Sequence, residues 1–452
     1  MASDTANHPA ILRDLGDGLI LRRATIKDSH ALVAFNARIH SEAEDGNPND
    51  FVGAWTRDLV EVPHPTFSVS DFTIVEDTHK GEIVSSMNLI SQTWSYSGIE
   101  FKVGRPELVG THPDYRKRGL VRAQFEVIHQ WSAERGELLQ AITGIPYYYR
   151  LFGYEMALNL SGGRAGYKAL IPKLKEEETE PYSLRPATEG DLAFIADLYQ
   201  QGCWRSLVSC RRDEAIWYYE LIGRSKDNVN RSDLCVIETP EGQAVGFLAH
   251  PPYTWGAMMA ATAYELKPGV SWAAVTPSVI RYLQKIYEVL LPEEGEKEEF
   301  GAFGFWLGAE HPVYQVITDK LPRVRDPYAW YLRVTDLSAF LRLIIPVLEN
   351  RLAASPMSGH NGEVSISFYS SGVRLVFESG QIKHIENWNP TPHGHSGDAA
   401  FPGLTFLQLL FGYRSLSELH YAFVDCFTRH DTARALLNSL FPKQPSNVWA
   451  VS

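Results

Sequence analysis

Cysteine is scarce. The 452-residue chain has four, Cys203, Cys210, Cys235 and Cys426, and no two of them form a CxxC pair. That spacing excludes a zinc knuckle and a disulfide scaffold and leaves reduced, buried thiols as the expectation. Long apolar runs are missing too: no window reaches the ~18 uninterrupted apolar residues of a membrane span. The stretch from Met1 to Asp17 carries acids and lacks an apolar core flanked by basic residues, so a cytoplasmic setting is expected. Positive charge is in deficit, with 42 Lys and Arg against 54 Asp and Glu and a net charge of −12. Nucleic acid and anionic membrane both need a basic surface, so neither is expected as a partner, and a cationic partner suits the chain better. No Gly-x-Ser-x-Gly elbow, His-Glu-x-x-His pair or Walker-type lysine loop is present, which removes the commonest hydrolases and nucleotidases. His384, His393 and His395 fall near prolines and glycines with no regular element to fix ligand geometry, so no metal site is expected.

What is present fits a multidomain globular protein, with 44% hydrophobic and 12% aromatic residues. The run Leu21 to Asp28 (LRRATIKD) recurs as Leu184 to Asp191 (LRPATEGD), one domain length further on. Each copy reads as a short strand, a threonine, an aspartate three positions later and then an apolar helical pattern, a β-then-α unit with a polar cap. Two copies at this separation imply tandem related domains, since a solenoid needs several short repeats. Between them, Leu170 to Pro181 is charged and framed by prolines, the composition of a linker. Leu291 to Glu299 reads as a charged loop inside the second copy. After about Thr335 the pattern changes to a helix over Asp336–Arg351, a hairpin over Glu363–Tyr369 and Val373–Glu378, and helices over Thr405–Phe411, Ser415–Phe423 and Asp431–Leu440. The expected fold class is α+β, with mixed sheets flanked by helices. Domains are expected over 1–170, 181–335 and 336–452.

The chemistry concentrates in the first copy. Glu107 to Arg122 begins as a strand, passes a turn at Thr111, His112 and Pro113, and opens a helix that runs to about Arg135. Arg116, Lys117, Arg118 and Gly119 stand where the free N–H groups of a helix start point outward, which makes the turn an anion site. Gly119 removes the Cβ that would hold a phosphate oxygen away from the amides. Leu138–Thr143 then reads as a buried strand, and Tyr147–Tyr154 as a short helical turn closed by Gly153.

Arg116 to Val121 and Tyr149 to Tyr154 together resemble the GNAT superfamily of N-acetyltransferases, whose motif is Arg/Gln-x-x-Gly-x-Gly/Ala followed by Tyr-x-x-x-Gly-Phe/Tyr. Val121 departs from the small residue of that pattern. Within the superfamily the three-part layout resembles the enhanced-intracellular-survival type, two GNAT-like domains followed by a sterol-carrier-like C-terminal domain. The resemblance implies acetyl-CoA as co-substrate, a primary amine of polyamine or aminoglycoside kind as acceptor, direct attack in a ternary complex, and a homo-oligomer, trimer or hexamer. It implies that Val109, Gly110 and Thr111 offer strand backbone to the pantetheine arm, and that Arg116, Lys117, Arg118, Gly119, Leu120 and Val121 cradle the pyrophosphate. Tyr149 would be the general acid, and the terminal carboxylate of Ser452 the base, although this chain lacks the family's terminal aromatic. Glu42, Glu44 and Asp45 are alternative bases. The second copy has no basic glycine turn near Ala274 to Ile280, so Tyr314 and its domain are expected to be structural. The alternatives are a GNAT-fold binding or interaction protein that has lost catalysis, and an acetyltransferase acting on protein lysines.

Overall fold

The structure is a computed structural model that describes residues 11–41, 46–291, 299–391 and 397–450. Its first part runs β1 (Ile11–Gly16), β2 (Leu19–Arg23), α1 (Ser29–Ile39), α2 (Asp50–Glu61), β3 (Phe72–Asp77), β4 (Glu82–Tyr96), β5 (Ile99–Thr111), α3 (Leu120–Glu134), β6 (Leu139–Ile142) and β7 (Glu155–Leu160). Strands β1 to β5 pair antiparallel in chain order, and β5 pairs parallel with β6. Side chains alternate across the sheet. Met87 and Leu89 on β4 therefore join α3 residues Leu120, Phe125 and Ile128 in one core. Ile90 points the other way and packs with Leu32 of α1 and Trp55 and Leu59 of α2. The sheet is thus covered on both faces, which is why β4 is buried along most of its length.

Two strand exchanges cross the boundaries expected from sequence at 170 and 335. The segment Tyr328–Val334 lies between β6 and β7, antiparallel to both, with Tyr331 opposite Ile142 on one side and Met156 on the other. Conversely β8 (Gly163–Tyr167) leaves this sheet and pairs with Ala302–Phe305 and Arg323–Arg325. The corner between β7 and β8 depends on glycine. Gly162 has φ +93° and Gly163 φ +155°, and a Cβ on Gly163 would lie 2.1 Å from the Phe305 carbonyl oxygen. Val208–Cys210 adds a further short strand beside Trp94–Tyr96 of β4.

The repeated octapeptide builds the same network twice. In the first copy Arg22 grips Asp28 through both terminal nitrogens and Glu76 through Nε, while the Asp28 carboxylate accepts from the Thr25 amide at 2.8 Å. In the second, Arg185 grips Asp191 and Glu238 in the same way, and Asp191 accepts from the Thr188 amide at 2.8 Å. The aspartates are held below the usual carboxylate range by these partners, against the opposing effect of burial. From Ser183 on, where the second copy begins its strand, the chain builds two four-stranded sheets, one of which includes β8, with a helix over Trp272–Leu290 packed against them.

The C-terminal part is a five-stranded sheet with helices. The expected hairpin is there, as Gly362–Ser367 and Gly372–Glu378. A third strand, Gln381–Trp388, follows and carries His384, contrary to the expectation that it lies outside any regular element; His393 and His395 lie outside the described residues. The single helix expected over Asp336–Arg351 is two, Leu337–Leu343 and Ile345–Ala353. Pro346 cannot donate a backbone hydrogen bond, so it sits in the first turn of the second helix and forces the break at Ile344. The architecture as a whole is α+β. Among the described residues no helix is long and apolar enough to cross a membrane, and no group of three or more His, Cys, Asp or Glu is placed to hold a metal.

Candidate active site

Strand β5 sets the site through an irregularity. Its pairing with β4 slips between Ser86 and Asn88, and Leu108 at the bulge takes φ +50°, a left-handed conformation that a branched side chain rarely adopts. On its other edge β5 pairs with β6 only at Val103 and Gly104. Beyond that point the strands part, and the wedge opens into a cavity of about 640 Å³. That size suits a small-molecule ligand or cofactor.

One wall is the turn into α3. Pro113–Tyr115 forms a 3-10 turn held by Tyr115, whose hydroxyl donates to Asp77 at 2.5 Å while its ring is buried. Lys117 at φ +64° and Gly119 at φ +78° then swing the chain into the helix. As a result the backbone N–H groups of Lys117 through Arg122 find no acceptor among the described residues, and the first helical bond is Ala123 to Gly119. A Cβ at Gly119 would meet nothing within 4 Å. The glycine is there for the turn's backbone geometry, and the space beside it is open. Arg116, Lys117 and Arg122 line the cavity and have no acidic partner among the described residues. Orphan amides, a helix dipole and three cations define a site for a polyanion such as a pyrophosphate.

Of the expected cradle, Val109, Gly110, Thr111, Arg116, Lys117, Gly119, Leu120 and Val121 all line this cavity. Arg118 does not. It turns away to Asp17 at 3.2 Å and lies over the Tyr115 ring. The branched Val121 packs partly into the core under α3 while still touching the cavity. Arg122, one position beyond the motif, is a cavity cation that motif matching passed over. It lies over the Phe152 ring, 5.4 Å from its centre.

Tyr149 forms part of a further wall, on the 3-10 turn Tyr148–Phe152. The turn enters through Tyr147 at φ +69° and leaves through Gly153 at φ +84°. Rings of Tyr148, Phe125, Tyr331 and Tyr154 surround it with centroids 5.4 to 6.4 Å away. Burial among these rings, and then the neighbouring phenols Tyr148, Tyr331 and Tyr328, push its pKa well above that of a free phenol. Its hydroxyl has no hydrogen-bond partner among the described residues, so a buried, protonated donor faces the cavity with its proton uncommitted. Tyr314 in the second half is the opposite case: its hydroxyl accepts from the Leu307 amide at 3.2 Å and donates toward the carbonyls of Phe305 and Gly308. The second half also caps its own helix start, with Ser271 accepting from the Ala274 amide at 3.3 Å.

Ser452, Glu42, Glu44 and Asp45 lie outside the described residues. The described tail ends at Ala450, with Trp449 edge-on to Trp217 and under Arg212 at 4.0 Å in the second half. His40 also lines the cavity and was not expected there. It stands at the end of α1, far in sequence from either motif, so no local pattern could point to it.

Comparison with known proteins agrees with this geometry. Residues 22–157 match the family model described as an acetyltransferase (GNAT) domain. That stretch spans the first copy of the octapeptide from Arg22 on, the β5 wedge, the α3 turn and Tyr149. No curated protein matches the sequence. Among solved structures the chain resembles a GCN5-related N-acetyltransferase from Kribbella flavida, with TM-score 0.64, 18% identity and coverage of 96% of this chain and 98% of that one. It also resembles a probable N-acyltransferase from Enterococcus faecalis V583, with TM-score 0.64, 13% identity and coverage of 95% and 97%. A third similar structure is Eis1 from Mycobacterium abscessus, with TM-score 0.56, 15% identity and coverage of 98% and 99%. At these identities the structures share the fold; the domain match, together with that fold, supports an acyltransferase.

Proposed function

We propose that the chain transfers an acetyl group from acetyl-CoA to a primary amine within a ternary complex. The observation that carries the reading is that one cavity brings together the orphan amides of α3, three cations with no acidic partner among the described residues and the uncommitted Tyr149 hydroxyl. Pyrophosphate oxygens fit the first two features and the thioester fits the wedge beside Val109 and Thr111. In this reading Tyr149 gives its proton to the departing thiolate, which leaves better once protonated. A small amine of polyamine or aminoglycoside kind is the favoured acceptor, in keeping with the chain's excess of acidic residues. The three parts are read as a catalytic GNAT-like domain, a degenerate second copy that binds no cofactor, and a sterol-carrier-like C-terminal domain. The repeated Arg–Asp–Thr network supports the duplication, and the self-capped helix and satisfied Tyr314 support the loss of a site in the second copy. The protein is read as a homo-oligomer. A role for the Ser452 carboxylate as base is part of the same resemblance and would be tested by removing the last residues.

The test is calorimetric titration with acetyl-CoA of the wild type, an Arg116→Ala/Arg122→Ala variant and an Arg118→Ala variant. One saturable site per chain is expected. Losing two charge-assisted contacts should weaken it at least ~10-fold, while Arg118→Ala, engaged elsewhere, should change it little. No binding at millimolar cofactor would return the chain to the class of catalytically lapsed binding proteins.

A further inference from the structure

His40 is placed by its neighbours. Gly110 on β5 lacks the Cβ that would sit 2.6 Å from Ile39 Cγ2, so the last turn of α1 presses directly on the strand. The next residue, His40, is carried to the bulge, where the Leu108 carbonyl faces its ring. Nε2 is buried with no hydrogen-bond partner among the described residues, yet the ring lines the same cavity as Tyr149. A buried polar ring is costly unless something uses it. The cavity therefore holds, on separate elements, a phenol suited to give a proton and an imidazole suited to take one.

Resting on the acetyl-transfer reading above, we propose that His40, in place of the terminal carboxylate, is the general base of the reaction. The imidazole, its Nε2 unpartnered among the described residues, takes a proton from the acceptor's ammonium group. The freed amine lone pair attacks the thioester carbonyl carbon, the C–N bond forms and the C–S bond breaks. The thiolate takes the phenolic proton of Tyr149. The second proton of the former ammonium nitrogen, acidic once acylated, passes through water to the phenolate, and the imidazolium releases its own to solvent. One amide, one free thiol and one proton result. Burial holds the imidazole below its ordinary pKa, against a smaller opposite pull from the Leu108 carbonyl, so it is neutral and able to accept at pH 7. The ionisable groups that line the same cavity are Tyr115, Arg116, Lys117 and Arg122 from the α3 turn and Tyr148 and Tyr149 from the 3-10 turn, and Arg38 stands on α1. Glu107 on β5 is committed to Arg105.

The experiment follows thiol release from acetyl-CoA with a panel of primary amines across pH, for the wild type, His40→Gln and His40→Ala, with acetyl-CoA titrated into each. The wild type should show kcat/KM rising with pH to a plateau set by the imidazole. In His40→Gln, kcat should fall roughly 100-fold and the acid limb should move up toward the acceptor's own pKa, with acetyl-CoA affinity held within about two-fold. Added imidazole should restore part of the His40→Ala turnover. Wild-type kcat and pH profile in His40→Gln would overturn the proposal alone, as would lost turnover with an unmoved profile and no rescue. A wild type that turns over none of the amines would overturn the acetyl-transfer reading and this proposal with it.

Discussion

The backbone N–H of Tyr147 donates to the phenol of Tyr331, 184 residues further along the chain. Tyr147 holds the left-handed start of the turn that carries Tyr149, and Tyr331 also packs edge-on against the Tyr149 ring at 5.5 Å. A strand that arrives late in the sequence therefore fixes the geometry of a turn written early. Tyr331→Phe keeps the ring and removes the anchor. We expect kcat to fall about five-fold, with acetyl-CoA affinity unchanged and stability lower by about 1 kcal/mol, the net worth of one hydrogen bond. Steady-state kinetics beside a denaturant melt would check both, and an unchanged kcat would mean the turn holds itself.

Tyr149→Phe and Tyr314→Phe make opposite predictions from the same chemical change. The Tyr149 hydroxyl has no hydrogen-bond partner among the described residues, so its loss should leave the melting midpoint almost unmoved while lowering kcat roughly 100-fold or more. Removing the Tyr314 hydroxyl orphans the buried Leu307 amide and should cost about 1–3 kcal/mol with kcat retained. If the two variants behave alike in both assays, the division into a working and a structural tyrosine is mistaken.

Two glycines in the cavity wall separate backbone freedom from close packing. Gly119→Ala meets no steric obstacle and should cost about 1 kcal/mol for its positive φ. Gly110→Ala has an ordinary strand conformation but drives its methyl into Ile39. It should cost about 1–3 kcal/mol and, by lifting the end of α1, weaken turnover. Chemical denaturation ranks the pair, and the expectation is refuted if Gly119→Ala is the more damaging.

Acid should loosen the first part of the chain. Burial lowers His64 to about 3, with Arg224 adding to it, and lowers His129 to about 3, with Arg333 adding to it. Unfolded, each imidazole takes its proton near the ordinary 6.5. The unfolded chain thus binds more protons over this interval, so stability falls as pH drops from about 6.5 toward 3. His129→Gln, which still reaches Tyr154 but does not titrate, should flatten part of that slope in melts between pH 7 and 4. An identical slope in the variant would remove His129 as a cause.

Local patterns were legible in the sequence where the physics is local. The α3 turn could be read from Arg116 to Gly119 because a helix start with a glycine and cations has one obvious use. The capped β-then-α unit could be read because Thr25 and Asp28, and again Thr188 and Asp191, close a ring within four residues. The split at Ile344 is also written locally, in Pro346, although the helical periodicity runs on across it. What lies between distant segments was not legible. Nothing near Tyr328 announces that its strand belongs beside Ile142 and Met156, and nothing near His40 points to Leu108. Arg118 sits inside the motif yet faces Asp17, because a run of adjacent cations on a tight turn cannot all point one way. The residues that pack against a site from afar leave their mark in shape, which only the folded chain displays.

The exchanged strands also bear on when the protein can work. The sheet that frames Tyr149 lacks its strand between β6 and β7 until residue 334 has been made, and β8 has no partner until Ala302–Phe305 follows it out. At ~5–20 residues per second, a growing chain waits roughly 9–35 s after completing β7 before the gap between β6 and β7 can close. Through that interval the edges of β6 and β7 stand open, and the turn bearing Tyr149 has no Tyr331 to hold it. A ribosome stalled anywhere in the middle third would display both motifs in full and still hold an unfinished sheet with open edges.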